Sequence, residues 1–314
     1  MILALAGGVG GAKLADGLTQ LLSDALAILV NTGDDFEHLG LTICPDLDTV
    51  MYTLGGIAEP STGWGVAGES WAFLDQVVRL GGPAWFRLGD RDIATHVLRS
   101  ERLRRGERLT SITADLAQRL GVKPRLLPMS DSPVRTLVQS PQGSLPFQEY
   151  FVRLHCAVTV TGFTFAGSDR AAPPPELAEA LADPRLSAII LCPSNPFVSI
   201  GPILAIPGLR QMLRARGVPI VAVSPIIGGA AVKGPAAKMM RELGMEPSAF
   251  AIAELYRGFI DGLLLDETDI AQVPRIASLG IAARAVPSLM TSAADRRRLA
   301  EAAVAFAAEL SARS

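Results

Sequence analysis

Short runs that are apolar at nearly every position alternate with longer amphipathic stretches along much of this chain. Met1–Ala6, Leu26–Val30, Ser187–Cys192 and Pro219–Ser224 are such runs, and 260–265 and 281–286 read the same way. Continuous apolar runs of this length predict buried strands. The amphipathic stretch between the first two ends at Ser23, so residues 1–31 form a β-α-β unit, which implies a parallel sheet. From Thr49 to Leu127 the strand signals thin out, and helices are predicted at 49–58, 69–80, 91–104 and 110–120. Strands return at Pro124–Met129 and at Val134–Gln139, where a Pro-Gln-Gly turn at 141–143 predicts a hairpin with a partner starting near Leu145. Ala171–Pro175 reads as a linker. Further helices follow at 175–181, 207–216, 235–244, 248–258 and 292–312. The predicted fold is α/β: a Rossmann-like, mostly parallel sheet with helices on both faces. It forms one domain over 1–314, with 49–127 as a mainly helical insertion or cap.

Composition narrows the partners. With 314 residues, 49% hydrophobic side chains and a net charge of −2, the chain can bury a large core and carries no basic excess for nucleic acid. No run approaches the about 18 apolar residues of a membrane span, and the first residues lack a basic region ahead of a sustained apolar stretch. The expectation is a cytoplasmic protein acting on small molecules, without nucleic acid or membrane. Cys44, Cys156 and Cys192 are far apart and read as core thiols.

Candidate chemistry begins at Gly7-Gly-Val-Gly-Gly-Ala-Lys13, which follows the first strand directly. Glycines there let the backbone approach a ligand, and the free N–H groups of a helix start favour an anion. Lys13 replaces the small residue of a dinucleotide fingerprint, while Ala12 and Leu14 break the P-loop pattern. The stretch keeps the physics of both and suggests a phosphate site at Gly8, Gly10, Gly11 and Lys13. Asn31-Thr-Gly-Asp-Asp35 ends the second strand where ligand loops of α/β sheets sit. In Pro45-Asp-Leu-Asp-Thr49, Asp46 and Asp48 are either hard oxygen ligands for Mg²⁺ or, for Asp48, the cap of the next helix. Arg87-Leu-Gly-Asp-Arg-Asp92 opens another helix. Asp90 suits its dipole, and the arginines Arg87 and Arg91 suit an anionic group. Ser194-Asn195-Pro196 is a polar turn after a strand, and Ser224–Pro235 is a second glycine-rich loop carrying Gly228, Gly229 and Lys233. Two such loops suggest two phosphate groups. His38, His96 and His155 have no partners at metal spacing and read as structural; Arg296-Arg-Arg298 reads as a solvated face. Trp64, Trp71 and Trp85 fall in or near the insertion, and read as core or as the wall of a site for a flat ring.

Taken together, seven ordered blocks resemble the 2-phospho-L-lactate transferase family of coenzyme F420 biosynthesis. They are Gly7–Lys13, Asn31–Asp35, Pro45–Val50, Leu88–Asp92, Pro128–Asp131, Ser194–Pro196 with Ser199–Ile203, and Ser224–Gly228. The likeness runs to Met290–Ser292. It implies a Mg²⁺-dependent transferase that joins the phospho-acid part of a guanosine diphosphate ester to the ribityl hydroxyl of the deazaflavin Fo, releasing GMP. The resemblance places Asp48 and Arg87 against Fo, with Asp90 and Arg91 of the same block. It places the nucleotide over Gly8, Gly10, Gly11, Lys13, Asn31, the Ser194–Pro196 turn, Gly228, Gly229 and Lys233. Asp46 and Asp48 are then the expected catalytic and metal-binding carboxylates. Gly11-Ala12 departs from archaeal members and points to a bacterial branch, whose three-carbon donor is lactyl, enolpyruvyl or glyceryl. A homodimer is implied by the resemblance alone. Rival readings are a non-catalytic nucleotide-sugar-binding factor of the related gluconeogenesis-linked family and a nicotinamide-dependent oxidoreductase. The Pro-Asp-Leu-Asp-Thr block and Lys13 count against them, respectively.

Overall fold

The runs that are apolar at every position end up in a sheet covered on both sides. Ile2, Ala4 and Ala6 enter one hydrophobic core, while Leu3 and Leu5 of the same strand enter another. Side chains alternate across a strand, so only a sheet with helices on both faces can bury all five. The structure, a computed structural model, describes residues 1–312.

Seven strands pair in parallel, in the spatial order Ala282–Val286, Gly262–Asp266, Ile220–Val223, Ala188–Leu191, Ile2–Ala6, Leu26–Val30 and Arg125–Pro128. Within this sheet the chain runs outward from Ile2–Ala6 in one direction, then returns to its other side at Ala188–Leu191. The crevice beyond the strand ends at such a reversal is where ligands of open α/β sheets bind. One core takes side chains from helices Pro175–Ala182, Leu209–Arg214 and Ala249–Leu255. The other takes them from the first helix (Gly8–Leu22), Pro45–Leu54, Leu109–Arg119 and the terminal helix Ala293–Ser311. The terminal helix opens with a capping box between Ser292 and Asp295. Its first turn packs so closely on the first helix that a Cβ at Gly17 would overlap the Arg296 carbonyl.

Between the second and third strands of the sheet lie helices Pro45–Leu54, Ala72–Arg79, Asp90–Arg104 and Leu109–Arg119. The first of these corrects the expected 49–58. Pro45 occupies the first turn, where proline is tolerated, and the helix stops before Gly55 and Gly56. The pattern also missed a small hairpin, Phe36–His38 with Leu41–Ile43, because three-residue strands are too short to show alternation. The hairpin predicted after Val134 is Arg135–Ser140 with Gly143–Pro146, and a third strand, Gly162–Ala166, joins its other edge.

Candidate active site

At the reversal point the end of the first strand meets the turn after Leu191. The Gly7 N–H donates to Ser194 Oγ at 3.1 Å, and the Ser194 hydroxyl donates back to the Gly7 carbonyl at 2.8 Å. Gly8, at φ +62°, donates its N–H to Asp46 Oδ1 at 2.7 Å. The first helix starts at Gly8, so the glycines expected to form a loop before it are its opening turn. They are small because other groups crowd them. A Cβ on Gly10 would overlap the Pro193 carbonyl oxygen, and one on Gly11 would stand 2.5 Å from Ser194 Oγ.

A cleft of 650 Å³ opens over this junction. Among the residues singled out from sequence, Gly8, Gly10, Lys13, Asp46, Asp48, Arg87, Ser194, Asn195 and Lys233 line it. Gly11, Asn31, Asp90, Arg91, Pro196, Gly228 and Gly229 lie off its wall. Asn31 is fully buried beneath, where its Nδ2 donates to Asp34 Oδ1 at 3.1 Å, Asp46 Oδ2 at 2.9 Å and the Val198 carbonyl at 3.1 Å. Asp90 receives the Ala72 and Phe73 N–H groups, capping the neighbouring helix rather than complementing only its own. Arg91 donates to the Ala67 carbonyl at 2.9 Å. Asn195 Oδ1 caps the turn that Pro196 opens. Gly228 and Gly229, both at positive φ, form the tip of a two-residue hairpin, where the Gly228 N–H is held by Asp269 at 2.9 Å.

One wall of the cleft is acidic. Asp34, Asp46 and Asp48 line it and are buried; Asp35, also buried, does not line the cleft. Burial pushes the Asp46 carboxyl up to about 6 and that of Asp35 to about 8. Burial also raises Asp34 well above the carboxylate range, reinforced by the charges of Asp46 and Asp35. Arg99 grips both oxygens of Asp48, Nη1 reaching Oδ2 at 3.0 Å and Nη2 reaching Oδ1. Thus Asp46 and Asp48 do not stand as two free carboxylates. Beside Asp48, His96 Nε2 lies 3.2 Å from Asp92 Oδ1, which also accepts from the Tyr52 hydroxyl at 2.7 Å. Burial works to raise Asp92, but His96, Tyr52 and Arg99 together hold it below its ordinary value.

Lys13 and Lys233 also line the cleft. Lys13 donates to the Met290 carbonyl at 2.8 Å, and burial, then Arg296 and Lys233, lower its pKa. Lys233 reaches across to the Thr62 carbonyl at 2.7 Å, tying the second glycine-rich loop to the insertion. Aromatic rings line the cleft as well. Trp85 and Phe86 line the cleft and pack against Phe36, with Phe36 and Phe86 edge to face at 4.8 Å. Arg87 lies 4.0 Å over the Trp71 ring. Sequence reading missed Asp34, Asp92, His96 and Arg99 as site residues. The last three fall at i, i+4 and i+7, one face of a helix, and that spacing was the available signal.

The family model of the 2-phospho-L-lactate transferase CofD matches residues 2–284. The chain belongs to the 2-phospho-L-lactate transferase family. This membership makes it a transferase of coenzyme F420 biosynthesis. It is 46% identical to a phosphoenolpyruvate transferase of Kitasatospora aureofaciens over 98% of both chains, and 42% identical to one of Streptomyces coelicolor over the same shares. Its fold is similar to the crystal structure of a upf0052 family member from Bacillus halodurans, with a TM-score of 0.62 at 14% identity, covering 96% of this chain and 98% of that one. Among the described residues no helix is long and apolar enough to cross a membrane.

Proposed function

We propose that the cleft joins the enolpyruvyl-phosphate part of a guanosine diphosphate ester to the ribityl hydroxyl of Fo and releases GMP. The observation that carries this reading is the meeting of three surfaces in one cleft: lysines, buried carboxylates and an aromatic wall. A diphosphate needs the first two, and a tricyclic deazaflavin suits the third. The choice of enolpyruvyl over lactyl or glyceryl rests on the names of the relatives, which share 42–46% of this sequence.

In the reaction, the hydroxyl oxygen of Fo bonds to the phosphorus that bears the enolpyruvyl group. The bond from that phosphorus to the bridging oxygen breaks, GMP leaves with the electron pair, and the hydroxyl proton passes to solvent water. Negative charge spreads over the phosphoryl oxygens, so positioning and neutralisation matter more than covalent help. Lys13 and Lys233 supply positive charge on the donor's side. Asp48, held by Arg99, faces the acceptor.

Mg²⁺ fits Asp46 with Asp34 better than Asp46 with Asp48. The carboxylates of Asp34 and Asp46 meet on one Asn31 amide, both are raised by burial, and Asp34 is raised further by the Asp46 charge. Hard oxygen donors of this kind suit Mg²⁺, whereas the Asp48 charge is already matched by a guanidinium. Bound there, the ion would neutralise charge on the diphosphate.

Incubation with Fo, Mg²⁺ and each of the enolpyruvyl, lactyl and glyceryl donors, followed by mass analysis, tests the reading. Expected are GMP and the enolpyruvyl phosphodiester of Fo, both abolished by a chelator. Product from another donor alone would overturn the donor assignment, and no product from any would overturn the acceptor. Asp48→Ala is expected to cut turnover by about two orders of magnitude or more; it also leaves the buried Arg99 without its counter-charge and lowers stability, so circular dichroism is used to confirm that the variant assayed is folded.

A further inference from the structure

Beneath the cleft, two helices face each other with polar residues where apolar packing would ordinarily run. Helix Pro45–Leu54 contributes Asp48 and Tyr52, one turn apart. Helix Asp90–Arg104 contributes Asp92, His96 and Arg99 on one face. Arg99 is only 1% exposed and, unlike the other four, is not part of the cleft wall. Its Nε has no hydrogen-bond partner among the described residues, so its burial is compensated chiefly by Asp48. A buried ion pair of this kind is commonly no more stabilising than well-packed apolar residues. Stability alone is a poor reason for it.

The contacts run in one direction. Arg99 Nη1 lies 3.4 Å from His96 Nδ1. Arginine can only donate, so in this contact Nδ1 is the acceptor, while His96 Nε2 lies 3.2 Å from Asp92 Oδ1 without forming a hydrogen bond there. Asp92 is in turn fixed by the Tyr52 hydroxyl. Tyr52, Asp92, His96, Arg99 and Asp48 thus lie in a continuous line of contacts that ends on the two oxygens of Asp48. We infer that Arg99 and His96 are positioning residues for the transfer reaction, holding the Asp48 carboxylate in the one orientation that meets the acceptor hydroxyl. This rests on the reading that Asp48 faces the acceptor.

Steady-state kinetics of the full chain with Fo and the enolpyruvyl donor, varied separately, test it. His96→Leu removes one of the three acceptors around Arg99 Nη1, the others being Asp48 Oδ2 and the Thr42 carbonyl, and His96→Gln can restore it through its amide oxygen. Misplacement of a reacting group by about 1 Å can cost about a hundredfold. His96→Leu and Arg99→Lys are expected to lower kcat/KM for Fo by about tenfold or more, with the donor KM within about twofold of wild type. His96→Gln is expected to recover most of the loss. Unchanged Fo kinetics in both Leu and Lys variants would overturn the inference, as would equal losses for Fo and donor, or a Gln variant no better than Leu. Should Arg99→Lys fail to fold, the His96 pair decides. Asp48→Asn separates the two levels: if it leaves Fo kinetics intact, the placement of Asp48 is wrong, whereas a loss there without a loss in the His96 and Arg99 variants rejects only their positioning role.

Discussion

The two glycine-rich stretches look alike in sequence and are built for different ends. In Gly7–Lys13 the glycines are crowded: Asp46 and Ser199 stand where a Gly7 side chain would go, and Pro193 and Ser194 press on Gly10 and Gly11. In Ser224–Pro235 they are open. Gly228 and Gly229 adopt φ of +56° and +77°, and a Cβ on either would meet nothing closer than 3.7 Å. The first loop needs glycine for close approach between strand ends, and the second needs it for a backbone turn. Only the first is part of the junction that aligns the site. The second contributes Lys233, whose reach to Thr62 joins two sides of the cleft mouth.

That contrast can be broken by substitution. The largest effect is expected at Gly10→Ala, where the new methyl meets a backbone carbonyl that cannot rotate away. Overpacking of this kind costs about 1–3 kcal/mol, and displacement of the 193–194 turn should also lower turnover at least tenfold or so. Thermal denaturation and kcat together check it, and a variant with wild-type values in both would remove the crowding argument. Gly228→Ala is expected to cost about 1 kcal/mol through its positive φ alone, with turnover close to wild type. A turnover loss as large as that of Gly10→Ala would mean the hairpin tip reaches the substrate. Lys233→Ala should change stability least, since the residue lies on the exposed rim. Its signature is expected to be a donor KM raised severalfold, with the Fo KM unaltered, and a flat donor KM would remove Lys233 from the phosphate side.

The sheet was readable because each central strand announces itself locally. Leu26–Val30 and Ala188–Leu191 are apolar at every position, and runs so short with no polar face fit a strand buried on both sides better than a helix. Boundaries were less legible. Pro45 allowed helix Pro45–Leu54 to start four residues before the expected Thr49, which turned Asp46 and Asp48 from loop residues into first-turn residues. Roles within the site were harder still. Asn31 was read as a nucleotide contact, yet it sits below the cleft and organises Asp34 and Asp46. His96 was read as structural, and it lies on the cleft wall between Asp48 and Asp92.

By itself the sequence determined the parallel α/β framework, the family blocks and the set of candidate residues, because apolar runs, glycine turns and ordered motifs are local signals. Only the tertiary structure decided which candidates share a cleft, that Asp48 is paired with Arg99, and that Asp46 instead keeps company with Asp34. Those pairings join side chains 51 residues apart in one case and converge through Asn31 in the other. Whether a buried carboxylate meets a guanidinium, an amide or another carboxylate depends on how two helices and a strand end are packed, and no local pattern carries that information.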